Sequence, residues 1–235
     1  MKTNFTRNVW RGLCVAVFLF GMLSFLQANR SAVGFQKPGK PVDVSDTEPD
    51  LPYVVECVNS QVNADGKITV IGRITRYAKA DGEWRQEFRR NNGPEAMSAR
   101  PRQPDVYVGG PDGVFQKESD TGMRRRVSAS SNQSIWQLYR SHNYLRAHPE
   151  FVRMDEVAGL KVYVMRADKD SSSPLQWTED SYSPQIGIYP LRTIMHFRDG
   201  SEIIREAVTV EFKDVPEDLN NDIKNLPIKQ KEKVQ

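Results

Sequence analysis

The chain has 235 residues, of which 33 are Lys or Arg and 30 are Asp or Glu, giving a formal net charge of +3. Lys2, Arg7 and Arg11 are the only charges before residue 29, so the remainder balances at 30 against 30 and implies no nucleic-acid partner. With 38% hydrophobic and 27% charged residues, the composition excludes a polytopic membrane protein, a collagen, a coiled-coil rod and a disulfide-stapled mini-protein.

Gly12 to Ala28 is uncharged and mostly apolar, and three basic residues precede it with no acid among them. A positive stretch followed by an apolar one is the layout of an export signal, with the basic flank left in the cytoplasm. Two outcomes stay open. Cleavage after Ala28 would free the protein in the periplasm or outside the cell. Retention would leave 17 residues, about 25 Å of helix, as an anchor in the inner membrane, against a hydrocarbon core of about 30 Å. Residues 29–50 hold Pro38, Pro41 and Pro49 among scattered charges and no periodicity, the pattern of a flexible tether. The exported part contains one cysteine, Cys57, so it has no intramolecular disulfide and must stand on its own core. In the run Tyr53–Val58, Cys57 reads as a small buried hydrophobe.

From residue 51 the dominant period is two, the signature of strands. Tyr53–Val58 is a short β-branched run. Ile68, Val70, Gly72 and Ile74 then alternate with polar residues. Asp81-Gly82 is a hairpin turn, and Trp84, Gln86 and Phe88 alternate with Arg85, Glu87 and Arg89. A Pro/Gly/Asn/Ser loop covers 91–104. Val106–Val108, Val114–Lys117 and Met123–Ala129 are further strands. Ser134–Leu145 differs: Ile135, Leu138 and Tyr139 fall on one helical face, with Ser134 placed to cap it, and Pro149 ends the region. Strands resume at Phe151–Met154, Leu160–Met165, around Trp177, at Leu191–Arg198 and, after the Asp199-Gly200 turn, at Glu202–Phe212. The fold class is mainly β: a curved antiparallel sheet, a half-open β-barrel, with one or two covering helices. The domain spans residues 51–215, and residues 216–235 read as a charged C-terminal tail.

His142, His148 and His196 have no ligand spacing, and no HExxH, CxxC or GxSxG pattern occurs, so no metal, cofactor or catalytic residue is expected. Two groups remain as binding candidates. Trp84, Phe88, Ile135, Trp136, Tyr139 and Tyr163 can line or close an apolar cavity, although such residues more often fill a core. Arg124 and Arg126 share a strand face and could meet an anionic group, or guard an edge strand against aggregation.

The segment Trp177–Phe212, with its Tyr182-Ser183-Pro184-Gln185-Ile186-Gly187 run, Asp199-Gly200 turn and Glu206-Ala207-Val208 strand, resembles uncharacterised bacterial secreted proteins. Gly82–Phe88 and Val157–Tyr163 fit the same pattern. These proteins in turn resemble the superfamily of periplasmic outer-membrane lipoprotein carriers and localisation factors. The resemblance implies a half-open antiparallel barrel with helices as a lid over an apolar cavity. It assigns no acyl-binding or partner-docking residue to this chain, and the Pro-rich tether departs from the helical mature N-terminus of the carriers. The leading expectation is a non-enzymatic extracytoplasmic binding module for an acyl chain or other apolar small molecule or lipid. Ile135, Trp136 and Tyr139 would close its cavity, with Trp84 and Phe88 on the floor. The alternative is a cell-envelope interaction or sensor domain with a side-chain-filled core and an unknown protein partner. A hydrolase with scattered residues is the third reading.

Overall fold

In the computed structural model the chain divides into two units, Met1–Val42 and Asp43–Gln235. The structure describes residues 46–91, 104–110, 113–118, 122–128 and 133–229. The segment read as an export signal, most of the segment read as a tether and most of the 91–104 loop lie outside the described residues. Among the described residues no helix is long and apolar enough to cross a membrane.

Eleven strands form one antiparallel sheet: β1 (Tyr53–Val62), β2 (Ile68–Ala78), β3 (Trp84–Arg90), β4 (Asp105–Gly110), β5 (Gly113–Lys117), β6 (Arg124–Ser128), β7 (Phe151–Val157), β8 (Leu160–Asp168), β9 (Leu175–Tyr182), β10 (Arg192–Phe197) and β11 (Glu202–Phe212). Among the described residues three short helices accompany them: α1 (Gln133–Leu138), α2 (His142–Ala147) and α3 (Asn221–Lys224). The sheet is curved and does not close, the half-open barrel expected from the strand pattern. Alternation sets which side chains point inward. In β2, Gly72, Ile74, Arg76 and Ala78 are buried, while the residues between them are partly or fully exposed. Asp199-Gly200 makes the last hairpin: Gly200 has φ +81°, a backbone state glycine adopts without steric cost, and the Asp199 carboxylate accepts the Ser201 N–H at 2.9 Å.

The strand order is β6-β5-β4-β3-β2-β1-β11-β10-β9-β8-β7. Neighbouring strands are sequential hairpins except at the centre, where β1 pairs with β11, Val55 opposite Val210. This places β6 and β7 at the two free edges. The chain between them carries α1 and α2, so those helices must run from one edge of the open sheet to the other.

The ladder registers define two faces. Val55, Arg76, Gln86, Tyr107 and Gln116 lie opposite one another across β1 to β5, on the inner face. Asn59, Arg205, Thr193, Asp180 and Met165 continue that face across β11 to β8. The outer face of β4 and β5 carries Val106, Val108 and Phe115, and Ile223 of α3 completes this cluster with 0% exposure. The segment read from sequence as a charged tail therefore holds, over its described part, a helix packed on the sheet. Its apolar residue supplies the packing, while Asp222 and Lys224 bond Arg85 and Glu83. Farther on, Pro227 and Lys229 exchange backbone hydrogen bonds with Arg124, covering part of the β6 edge.

Candidate functional site

The sequence pattern predicts one covering helix over 134–145; the structure has two. Ser141 begins the second by taking an extended conformation and accepting the Tyr144 N–H on its Oγ at 3.1 Å, a new N-cap in mid-segment. The preceding Arg140 is 1% exposed. Its Nη1 donates to the carbonyls of Pro49 at 2.6 Å and Gln185 at 3.4 Å, and its Nη2 pairs with the Asp50 carboxylate. Asp46 accepts from the Ser141 hydroxyl at 2.7 Å and the Asn143 N–H at 2.8 Å. His142 Nε2–H donates to Glu48 Oε1 at 3.0 Å, and its Nδ1 is hydrogen-bonded with the Tyr163 hydroxyl at 2.9 Å. Residues 46–50, the end of the sequence-read tether, and the loop 183–191 are thus both fastened to the cover by polar contacts. Burial raises the Asp50 carboxyl above its ordinary range, although the Arg140 guanidinium pulls it down.

Under the cover the contacts are aromatic. The Tyr139 ring meets Tyr182 edge-on with centroids 4.7 Å apart and Tyr144 at 5.6 Å. Tyr163 lies against Phe151 at 5.9 Å. Tyr139 and Tyr163 belong to these aromatic contacts, and Ile135 and Trp136 are buried as well.

Trp84 and Phe88 are buried too, but on β3 in the other half of the sheet, with β2, β1, β11 and β10 between them and the β9 strand that carries Tyr182. Trp84 belongs to a cationic cluster. The Arg76 guanidinium lies 4.1 Å from the Trp84 ring and 4.4 Å from the Tyr189 ring. Arg205 places a second guanidinium 5.1 Å from Tyr189, and its Nη2 donates to Thr193 Oγ1 at 2.7 Å. That hydroxyl in turn donates to Asp180 Oδ1 at 2.6 Å. Burial raises the Asp180 carboxyl, opposed by Thr193 and Arg205. It also raises the Cys57 thiol, whose Sγ lies 3.7 Å from the Tyr189 hydroxyl and which is 1% exposed, as a small buried hydrophobe would be. A raised thiol is held away from the thiolate form a nucleophile requires. Among the described residues no three His, Cys, Asp or Glu side chains converge as a metal site.

Arg124 and Arg126 occupy the opposite, outer face of the edge strand β6. Both lie over Phe115, at 4.6 and 5.9 Å from its ring, away from the inner cluster. Sequence reasoning missed Arg76, Arg140, Tyr189 and Arg205. For Arg76 the signal was present: continuing the alternation Gly72, Ile74 by two residues puts an arginine on the apolar face of β2. Arg205 follows the same rule between Ile203 and Ala207 in β11. Tyr189 lies in a loop, which has no such periodicity.

No protein-family model and no curated protein matches the chain. Solved structures similar to it include an uncharacterized conserved protein from Thermus thermophilus, with a TM-score of 0.45, 10% identity, and coverage of 76% of this chain and 90% of that one. A LolA superfamily protein from Nitrosomonas europaea has a TM-score of 0.37, 12% identity, and coverage of 75% and 92%. A putative outer membrane lipoprotein-sorting protein domain from Vibrio parahaemolyticus has a TM-score of 0.28, 11% identity, and coverage of 76% and 93%.

Proposed function

We propose that this protein is an extracytoplasmic, non-enzymatic binding module that takes an acyl chain or another apolar ligand between the inner face of its half-barrel and the helical cover. One observation carries the reading: α1 and α2 lie in the chain that joins the two edge strands of an open sheet, Ile135, Trp136 and Tyr139 of this segment are buried, Tyr139 meets Tyr182 of β9, and the attachments of the segment to residues 46–50 are polar. Apolar surface on both sides of a cover held by hydrogen bonds can be separated and refilled by an apolar guest, because the guest restores the burial that opening removes. The basic and apolar stretches at the N-terminus support export, with residues 12–28 as the membrane contact if they are retained.

The test is native mass spectrometry of the protein purified from the envelope of its host, followed by denaturing extraction and uptake of a fluorescent fatty acid. A bound small molecule released on unfolding supports the module. Trp136→Ala is expected to weaken uptake several-fold with an unchanged far-ultraviolet spectrum; equal uptake by the variant removes the lid role. A specific observation favours the second reading, an envelope interaction or sensor domain. Trp84, Phe88, Ile135, Trp136, Tyr139 and Tyr163 are each 6% exposed or less, so in this conformation they fill the core themselves. A clean apo mass with no uptake selects that reading.

A further inference from the structure

We infer that Arg76 is the anchor for an oxyanion, a carboxylate or a phosphate, at the head of an amphipathic ligand on the inner face; the inference rests on the apolar-ligand reading above. Arg76 sits at a buried alternate position of β2 and is 2% exposed. Trp84 and Tyr189 contact its guanidinium at 4.1 and 4.4 Å, occupying it through π contacts. Hydrogen bonds from a planar guanidinium lie in its plane, so the edge is what remains for an acceptor. Two atoms of that edge, Nε and Nη2, are buried with no hydrogen-bond partner. They are the two nitrogens whose N–H bonds point the same way, the side-on fork that matches two oxygens of one carboxylate or phosphate.

The charge around this fork is unbalanced in the same sense. No carboxylate pairs with Arg76 among the described residues. Arg205 brings a second cation to the same Tyr189 ring, and its Nε is likewise buried and unpartnered. Asp180 is tied into the cluster through Thr193, which links it to Arg205, and burial disfavours its charged form. A buried cation without a counter-charge is costly, and a water molecule would accept hydrogen bonds without neutralising it. The adjacent row supplies further orphan donors. Tyr53 and Trp84 both lie opposite Ala78, two residues along β2 from Arg76, and the Tyr53 hydroxyl and Trp84 Nε1 are buried without partners. An acceptor-rich head group suits such a donor-rich cluster, and the aromatic layer under α1 and α2 suits its chain. Tyr189 belongs to the 183–191 loop, so entry requires that loop to lift. Arg140, bonded to the Gln185 carbonyl, is the contact that must release.

The experiment compares binding of dodecanoate, dodecyl phosphate and methyl dodecanoate to the full-length protein, with acetate and inorganic phosphate as chain-free anions. The wild type is expected to bind at least one anionic amphiphile about ten-fold or more tightly than the ester. The two anionic arms show whether a carboxylate or a phosphate is preferred. Arg76→Met is expected to bring the amphiphiles to within about two-fold of each other, and Arg76→Lys, which keeps the charge but not the fork, to retain only part of the preference. The wild-type comparison needs no variant, so it stands even if Arg76→Met fails to fold. Equal wild-type affinity for acid, phosphate and ester overturns the anion site and leaves the apolar-ligand reading standing. If no amphiphile binds but acetate or phosphate raises the melting temperature of the wild type and not of Arg76→Lys, the fork is supported and the apolar-ligand reading falls. If neither amphiphiles nor free anions bind, both fall.

Discussion

Gly109 lies on the inner face with no room for a side chain. A Cβ added there would lie 2.2 Å from Trp84 Cε2 and 2.4 Å from its Nε1, well inside contact distance. The indole cannot simply turn aside, because the Arg76 guanidinium lies on it at 4.1 Å. Gly109→Ala is therefore expected to cost about 1–3 kcal/mol of stability by urea denaturation, the range for overpacking a filled site, and to shift the tryptophan emission. An unchanged midpoint would mean that Trp84 does not lie across β4. At this scale the sequence was legible wherever alternation was unbroken. Trp84 and Phe88 face inward as their spacing required, and Arg76 obeys the same rule although its charge argues against burial. What could not be read was the partner that makes burial tolerable, since Tyr189 approaches from a loop more than a hundred residues away.

Among the elements, α2 has a built-in response to pH. Pro149 ends it, because the residue before a proline is pushed out of helical geometry, and His148 is indeed extended at the C-cap. The His148 Nδ1 accepts the Glu150 N–H at 3.3 Å and its ring meets Tyr144 at 5.7 Å. An accepting Nδ1 is unprotonated, and burial lowers the His148 pKa from its ordinary 6.5, so the folded state resists a proton the unfolded chain takes up. Stability from this group is complete above the unfolded value and is lost as pH falls through the lowered folded value. Glu150 acts with the opposite sign, its carboxyl raised by burial, and is common to the wild type and the variant compared here. His148→Asn keeps an acceptor for the Glu150 N–H without a titrating ring. The melting temperature of the wild type is expected to fall more steeply than that of the variant between about pH 7 and 5; parallel curves would remove His148 from the account. The break between α1 and α2 was not legible because helical periodicity continues through Arg140 and Ser141. It is imposed by Arg140 reaching back to residues 49 and 50, a segment distant in sequence, and by Ser141 capping the next turn through the Tyr144 N–H.

Over the whole molecule the hairpins were local and legible, but the closing pair of β1 and β11 was not. It joins residues about 150 apart, such as Val55 and Val210, and nothing in either strand's pattern names the other. The same limit hid the role of the C-terminal segment, where composition is polar and a single Ile223 makes the contact with Val106, Val108 and Phe115. Ile223→Ala is expected to cost about 2–5 kcal/mol, the range for emptying a fully buried aliphatic site. Deleting residues 216–235 should do more than that, for two separate reasons. It uncovers the apolar cluster on the outer face, and it strips Pro227 and Lys229 from the backbone of Arg124 at an edge strand, leaving unpaired donors and acceptors beside exposed apolar surface. The deleted form should therefore sediment as larger species than the full chain at equal concentration, whereas Ile223→Ala, which keeps the edge contacts, should lose stability without associating. If both variants associate equally, the apolar cluster alone drives self-association and the backbone contacts at β6 are incidental. If the deletion leaves sedimentation and stability unchanged, α3 adds nothing to the fold.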